Sequence, residues 1–184
     1  ARALAFFADR VEGNLLAAHQ EISKLGLLHS AGELSQEQIE AAVLNVARYD
    51  AFKLSEAILG GQRARVQRML DGLRAEGEAE VRVHWALAEE IRALKRVKDA
   101  VAEGRPLPVA LREQRIWGLR ERLFERVLPR LGELQLANLL HAAHQVDGIV
   151  KGLRHPGWPQ EPWQALHRLA QSLCGACGEV LPRR

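Results

Sequence analysis

The sequence predicts an all-α protein. Apolar residues recur at three- and four-residue steps along nearly the whole chain, the spacing of a buried helix face. No stretch alternates apolar and polar residues between turn signals, as a half-buried strand would. Capping residues and glycines punctuate the periodic runs at helix-length intervals.

Residues 1–12 predict a first helix, stopped by Gly13. Asn14 then caps a second, in which Leu15, Ala18, Ile22 and Leu25 share one face. The clearest start signal is LSQEQI, where Ser35 and Gln38 form a capping box and Leu34 and Ile39 a hydrophobic staple. That third helix is predicted to run to about Arg48. YDAFKL restarts the chain with Asp50 as N-cap, and Gly60-Gly61 ends the short helix that follows. Residues 62–75 turn Val66, Met69, Leu70 and Leu73 inward. The longest helix follows Gly77, carries Val83, Leu87, Ile91, Leu94 and Val101, and stops before Gly104-Arg105-Pro106. A short helix near 107–113 leads to the tripeptide RIW, then to helices near 118–131 and 133–154. HPGWPQEPW is a loop, since its prolines and glycine break helix. The last helix runs from Pro162 to about Cys174.

At 184 residues the chain suits one compact domain, or a domain with part of a neighbour. Lys and Arg number 26 against 23 acids, a net charge of only +3; a dedicated DNA-binding domain concentrates a larger surplus on one face. No apolar run reaches the ~18 residues of a membrane span, and the N-terminus lacks signal-peptide order. Two cysteines give no disulfide framework. These features predict a cytoplasmic protein with no membrane association. The start ARALAFF, without Met, reads as a piece of a longer protein.

No catalytic constellation is present: the sequence has no GxxxxGK[ST], HExxH or GxSxG. Cys174-Gly-Ala-Cys177 has the spacing of half a zinc site, which His141 and His144 would have to complete. Nothing in the sequence brings those segments together, so the cysteines read as small residues fraying from a terminal helix. Arg122, Arg126 and Arg130 form an i, i+4, i+8 stripe, with Arg115 and Arg120 nearby, and are candidate phosphate contacts. Glu121 and Glu125 interleave with them, the pattern of a solvated helix face; Lys95, Arg96 and Lys98 read the same way. Trp117 and Trp163 are expected in the core, while Trp158, between Gly157 and Pro159, is an interface candidate.

The succession EGNLLAAHQEISKL, IEAAVLNVARYDAFKLSEAILGG, RVQRMLDGLRAEGE, WALAEEIRALKRVK and RIW resembles, in order and spacing, the delta-subunit family of the bacterial DNA polymerase III clamp loader. The resemblance implies an all-α fragment. Residues 1–48 correspond to the later part of a small helical lid domain, and 49–184 to a helical bundle, the collar, through which subunits assemble. It implies a non-catalytic, cofactor-free subunit of a nucleotidyltransferase complex. The implied partners are the delta-prime and gamma/tau subunits, and primed DNA only in the assembled complex. The sliding clamp is gripped by an N-terminal domain outside this chain, and the fragment alone is expected to be a monomer. ATPase sisters carry a Gly-x-x-Arg pattern whose arginine reaches the nucleotide phosphates. Here Gly13-Asn14-Leu15-Leu16 puts Leu16 at that position, and an aliphatic side chain cannot donate to a phosphate. Ring assembly requires two binding faces, expected on the helices near 79–102 and 133–154, with Trp85, Leu136 and Leu140 as anchors off the core stripes. Rival readings are a nucleic-acid-binding bundle using Arg115 to Arg130 and a metal-binding module.

Overall fold

The computed structural model describes residues 2–11, 15–43 and 51–178. Among them are ten α-helices and one 3-10 turn, with no strand, as the periodicity predicts. The chain divides into two compact units, Ala1–Arg48 and Tyr49–Arg184.

The first unit holds α1 (Arg2–Arg10), α2 (Leu15–Leu28) and α3 (Gln36–Val43). Its small core is Phe7 and Leu25, with Val11, Leu34 and Ile39 packed against them. The capping box is formed in both directions: the Ser35 backbone N–H donates to Gln38 Oε1 at 2.8 Å, and the Gln38 N–H to Ser35 Oγ at 3.2 Å. The stop at Gly13, the Asn14 cap, the end of the third helix toward Arg48 and the Asp50 cap lie outside the described residues. Of the face predicted for α2, only Leu25 is buried; Leu15 is 88% exposed and Ile22 60%. Leu16, Leu27 and Leu28 are exposed as well. A helix apolar on several sides needs cover on several sides, and α1 and α3 cover one.

The second unit comprises α4 (Ala51–Leu59), α5 (Arg63–Ala75), α6 (Glu80–Ala102), α7 (Leu107–Glu113), α8 (Leu119–Val127), the 3-10 turn Leu128–Arg130, α9 (Glu133–Val150) and α10 (Pro162–Gly178). α6 lies along α9, and α10 packs against α4, α5, α6 and α9. The core is continuous, with Leu54, Leu70, Leu94, Phe124 and Leu166 fully buried. The predicted inward set of α5, Val66, Met69, Leu70 and Leu73, is buried. Gly61, at φ +69°, ends α4: its N–H donates to the Ile58 carbonyl at 2.9 Å while that of Gln62 reaches back to Ala57 at 3.0 Å. This left-handed residue closes the orphan carbonyls of the last turn.

Five expectations about these helices need correction. Val101 is 40% exposed, and Val97 takes the core position on α6. α8 gives way to a 3-10 turn at Leu128, where Pro129 has no N–H to continue the ladder, and α9 ends at Val150 rather than near 154. Trp117 is 61% exposed because Ile116 fills the buried position of the RIW turn; Trp163 is in the core as expected. Finally, Cys174 and Cys177 do not fray. α10 continues to Gly178 with both thiols buried, and it closes on the α4–α5 turn so tightly that a Cβ on Gly61 would stand 2.8 Å from Gly178 Cα.

Candidate functional site

Among the described residues the candidate site is a set of surfaces around α6, α8 and α9. At the junction of α4, α6 and α8 sits Glu90, almost fully buried. Arg120 Nη2 donates to its Oε2 at 3.0 Å and Arg120 Nε to its Oε1 at 3.4 Å, and the Ser55 hydroxyl lies near the same carboxylate and favours its ionised form. The guanidinium lies over the Phe124 ring, 5.3 Å from its centroid. Burial pushes the Glu90 carboxyl above its ordinary value, outweighing Arg120 and Ser55, which pull it down. A cleft of about 260 Å³ opens above this pair, lined by Ser55, Trp85, Ala86, Glu89, Glu90 and Arg120. Trp85 is 52% exposed.

The arginine stripe is not uniform. Arg126 Nη2 donates to the Leu59 carbonyl at 2.8 Å, closing the end of α4, so its donors serve the fold. Arg115, Arg122 and Arg130 are exposed. Arg115 holds a left-handed φ of +54° at the end of α7, the place where glycine usually stands. The turn that carries it brings the exposed Trp117 alongside in sequence, an aromatic signal assigned to the core by pattern alone. On α6, Lys95 pairs with Asp99 and Glu133, Arg96 with Glu89, and Lys98 Nζ donates to the Leu128 carbonyl at 3.0 Å. These three tie surface elements together rather than standing as a solvated stripe.

Two of the proposed anchors move inward. Leu136 is fully buried and has no surface to offer a partner; the N-terminal turn of α9 instead exposes Leu134. Leu140 is half-buried against the core. Trp158 is folded back: its Nε1–H donates to Gln145 Oε1 at 2.7 Å, and the Arg168 guanidinium lies 4.5 Å from its ring centroid. The loop is held against α9 and α10 through these two contacts.

Between α6 and α9, buried His84 donates from Nε2 to the Ala143 carbonyl at 2.9 Å, a partner that fixes the tautomer. Its Nδ1 faces Asp147 Oδ1 at 3.5 Å. Burial, helped by Arg92 and Lys151, lowers its pKa below 6.5 despite the Ala143 carbonyl and Asp147. A histidine held neutral in the fold stabilises fully above its unfolded pKa, and that stability is lost as pH falls from there through the folded value. Urea unfolding at pH 7.5 and 5.5 should therefore show a smaller acid loss for His84→Gln, which keeps a donor for Ala143, than for the parent. His167 shifts in the same direction, through burial first, so part of the loss remains in the variant.

The half zinc site is not completed. His141 and His144 lie exposed on α9 while the thiols are inside, and no group of three or more ligand-type side chains occurs among the described residues. Burial pushes the Cys174 thiol up and that of Cys177 up to about 12, as for an unreactive buried thiol.

Among the described residues the second unit is a helical bundle with buried polar ties and exposed aromatic and basic side chains. No family model matches the chain. It is 30% identical over 163 residues to DNA polymerase III subunit delta of Escherichia coli (strain K12), covering 89% of this chain and 46% of that protein. The Haemophilus influenzae DNA polymerase III subunit delta is 25% identical over 171 residues, 89% of this chain and 48% of the relative. The chain is thus delta-like over most of its length, in agreement with the resemblance read from its motifs, and it spans about half the length of these curated relatives.

Proposed function

We propose that this chain is the assembling part of a clamp-loader delta subunit, a non-catalytic component of the DNA polymerase III holoenzyme in the cytoplasm. The observation that carries this reading is the similarity to two proteins named as that subunit, over 89% of an all-α chain. Residues 1–48 are read as the later part of the lid and 49–184 as the collar. The exposed leucines of α2 support the first assignment, because a helix apolar on several sides needs further helices to cover it. In this reading Leu16 presents an aliphatic side chain where an ATPase lid presents arginine, and the lid is silent toward ATP.

The partners are the delta-prime and gamma/tau subunits, met through the collar; the sliding clamp is gripped by a part of the delta subunit outside this chain. Primed DNA is contacted only in the assembled complex. For that contact the exposed Arg115, Arg122 and Arg130, with the exposed Trp117, supply phosphate donors and a ring for stacking a base. Mixing the chain with cognate gamma/tau and delta-prime subunits and weighing the products by native mass spectrometry tests the reading. Co-assembly with both subunits is expected. A chain that stays alone, yet binds primed DNA with steep salt dependence, would favour the rival nucleic-acid-binding bundle.

A further inference from the structure

We infer that the seam between α6 and α9 is a proton-operated joint, in which acidification makes His84 take Asp147 from Lys151 and leaves the lysine ammonium free. The groups meet at a cleft of about 330 Å³ between the two helices. Its charged and titratable lining is His84 and Arg92 on α6, facing His144 and Asp147 on α9 and Lys151 just past its end. Arg92 is engaged by Glu89 on its own helix. Among the described residues no other element lines the cleft.

The Nε2–H of His84 is committed to the Ala143 carbonyl at 2.9 Å, so in the neutral ring Nδ1 presents a lone pair. That lone pair faces Asp147 Oδ1 at 3.5 Å, and two acceptors make no hydrogen bond. Asp147 instead holds Lys151, whose Nζ donates to Oδ2 at 2.7 Å. A proton taken from solvent onto Nδ1 turns the facing acceptors into a charge-assisted donor and acceptor. Such a bond is about 2.8 Å long, so the carboxylate must close on the ring. The buried imidazolium wins the competition, because an i,i+4 pair with an exposed lysine is weak in water. Both pKa directions support this exchange. Burial first, with Arg92 and Lys151, holds the imidazole below its ordinary value against the Ala143 carbonyl and Asp147. The Asp147 carboxyl is held low, by Lys151 first and with help from His84 and His144, so it stays ionised while the imidazole charges.

Ring-nitrogen NMR titration of the full chain, with the Lys151 side-chain signals followed in the same samples, tests the joint. At pH 7.5 the His84 ring should carry its proton on Nε2. As pH falls, Nδ1 should gain a proton, and the Lys151 ε-methylene signals should move with the same midpoint. Lys151→Met should raise the His84 midpoint and Asp147→Asn should lower it. Neither of those side chains is buried, and melting at pH 8 checks that both variants keep the fold. In His84→Gln the Lys151 signals should stay still; movement that persists there would assign the exchange to His144 and overturn the inference. A proton on Nδ1 at pH 7.5, or a His84 midpoint indifferent to Asp147→Asn, would overturn it as well.

Discussion

Arg120→Ala should destabilise the second unit by about 3 kcal/mol, read from urea unfolding at pH 7. The substitution strips the guanidinium from a carboxylate that is 3% exposed, and removing one partner of a buried pair costs ~3–5 kcal/mol. The lower end applies because a third of the Arg120 side chain is in water, where its charge is already screened. The loss should depend on pH in a definite direction. Glu90 has a raised folded pKa, so its ionised form costs stability above that value, and the cost fades as pH falls toward the unfolded value. Without Arg120 the folded pKa rises further, and the deficit relative to the parent should shrink between pH 7 and 4. A double replacement of Glu90 and Arg120 by leucine should recover most of the loss. An equal deficit at both pH values would show that Arg120 acts by packing over Phe124 rather than by charge.

Gly61→Ala should cost about as much by a different route. The backbone there is left-handed, which costs an L side chain ~1–2 kcal/mol. The new Cβ would also stand 2.8 Å from Gly178 Cα, against backbone that has no flexible end to swing aside. Together these predict ~3 kcal/mol of lost stability. Gly77→Ala is the control, with the same backbone hand at φ +75° and nothing within 4 Å of the added carbon; it should cost only the backbone part, about 1 kcal/mol. Equal losses in the two variants would mean that α10 can shift away from Gly61.

Helix order was legible because the signals are local. The capping box at Ser35 and Gln38, the inward set of α5 and the glycine stop at Gly61 each follow from a few adjacent residues. What was not legible depends on where helices cross. Trp117 and Ile116 are neighbours with similar apolar character, and only the turn after α7 decides which one is inside. Cys174 and Cys177 look like the tail of a helix, yet two glycines, Gly61 and Gly178, let that tail close on the α4–α5 turn. The arginine stripe on α8 was visible as a pattern, but Arg126 is claimed by a carbonyl 67 residues away. Glu90 and Arg120, 30 apart, carry no spacing signal at all. Among the proposed anchors, Trp85 keeps its surface, whereas Leu136 loses it to the contact of α9 with the core.

The reading of residues 49–184 as the surface that assembles is tested most directly by hydrogen–deuterium exchange of the full chain, alone and with the cognate gamma/tau and delta-prime subunits. The proposal predicts slower exchange in the second unit when the partners are present, strongest on α6 between Val81 and Glu89, with residues 2–43 unchanged. Protection confined to residues 2–43 while a complex forms would contradict it.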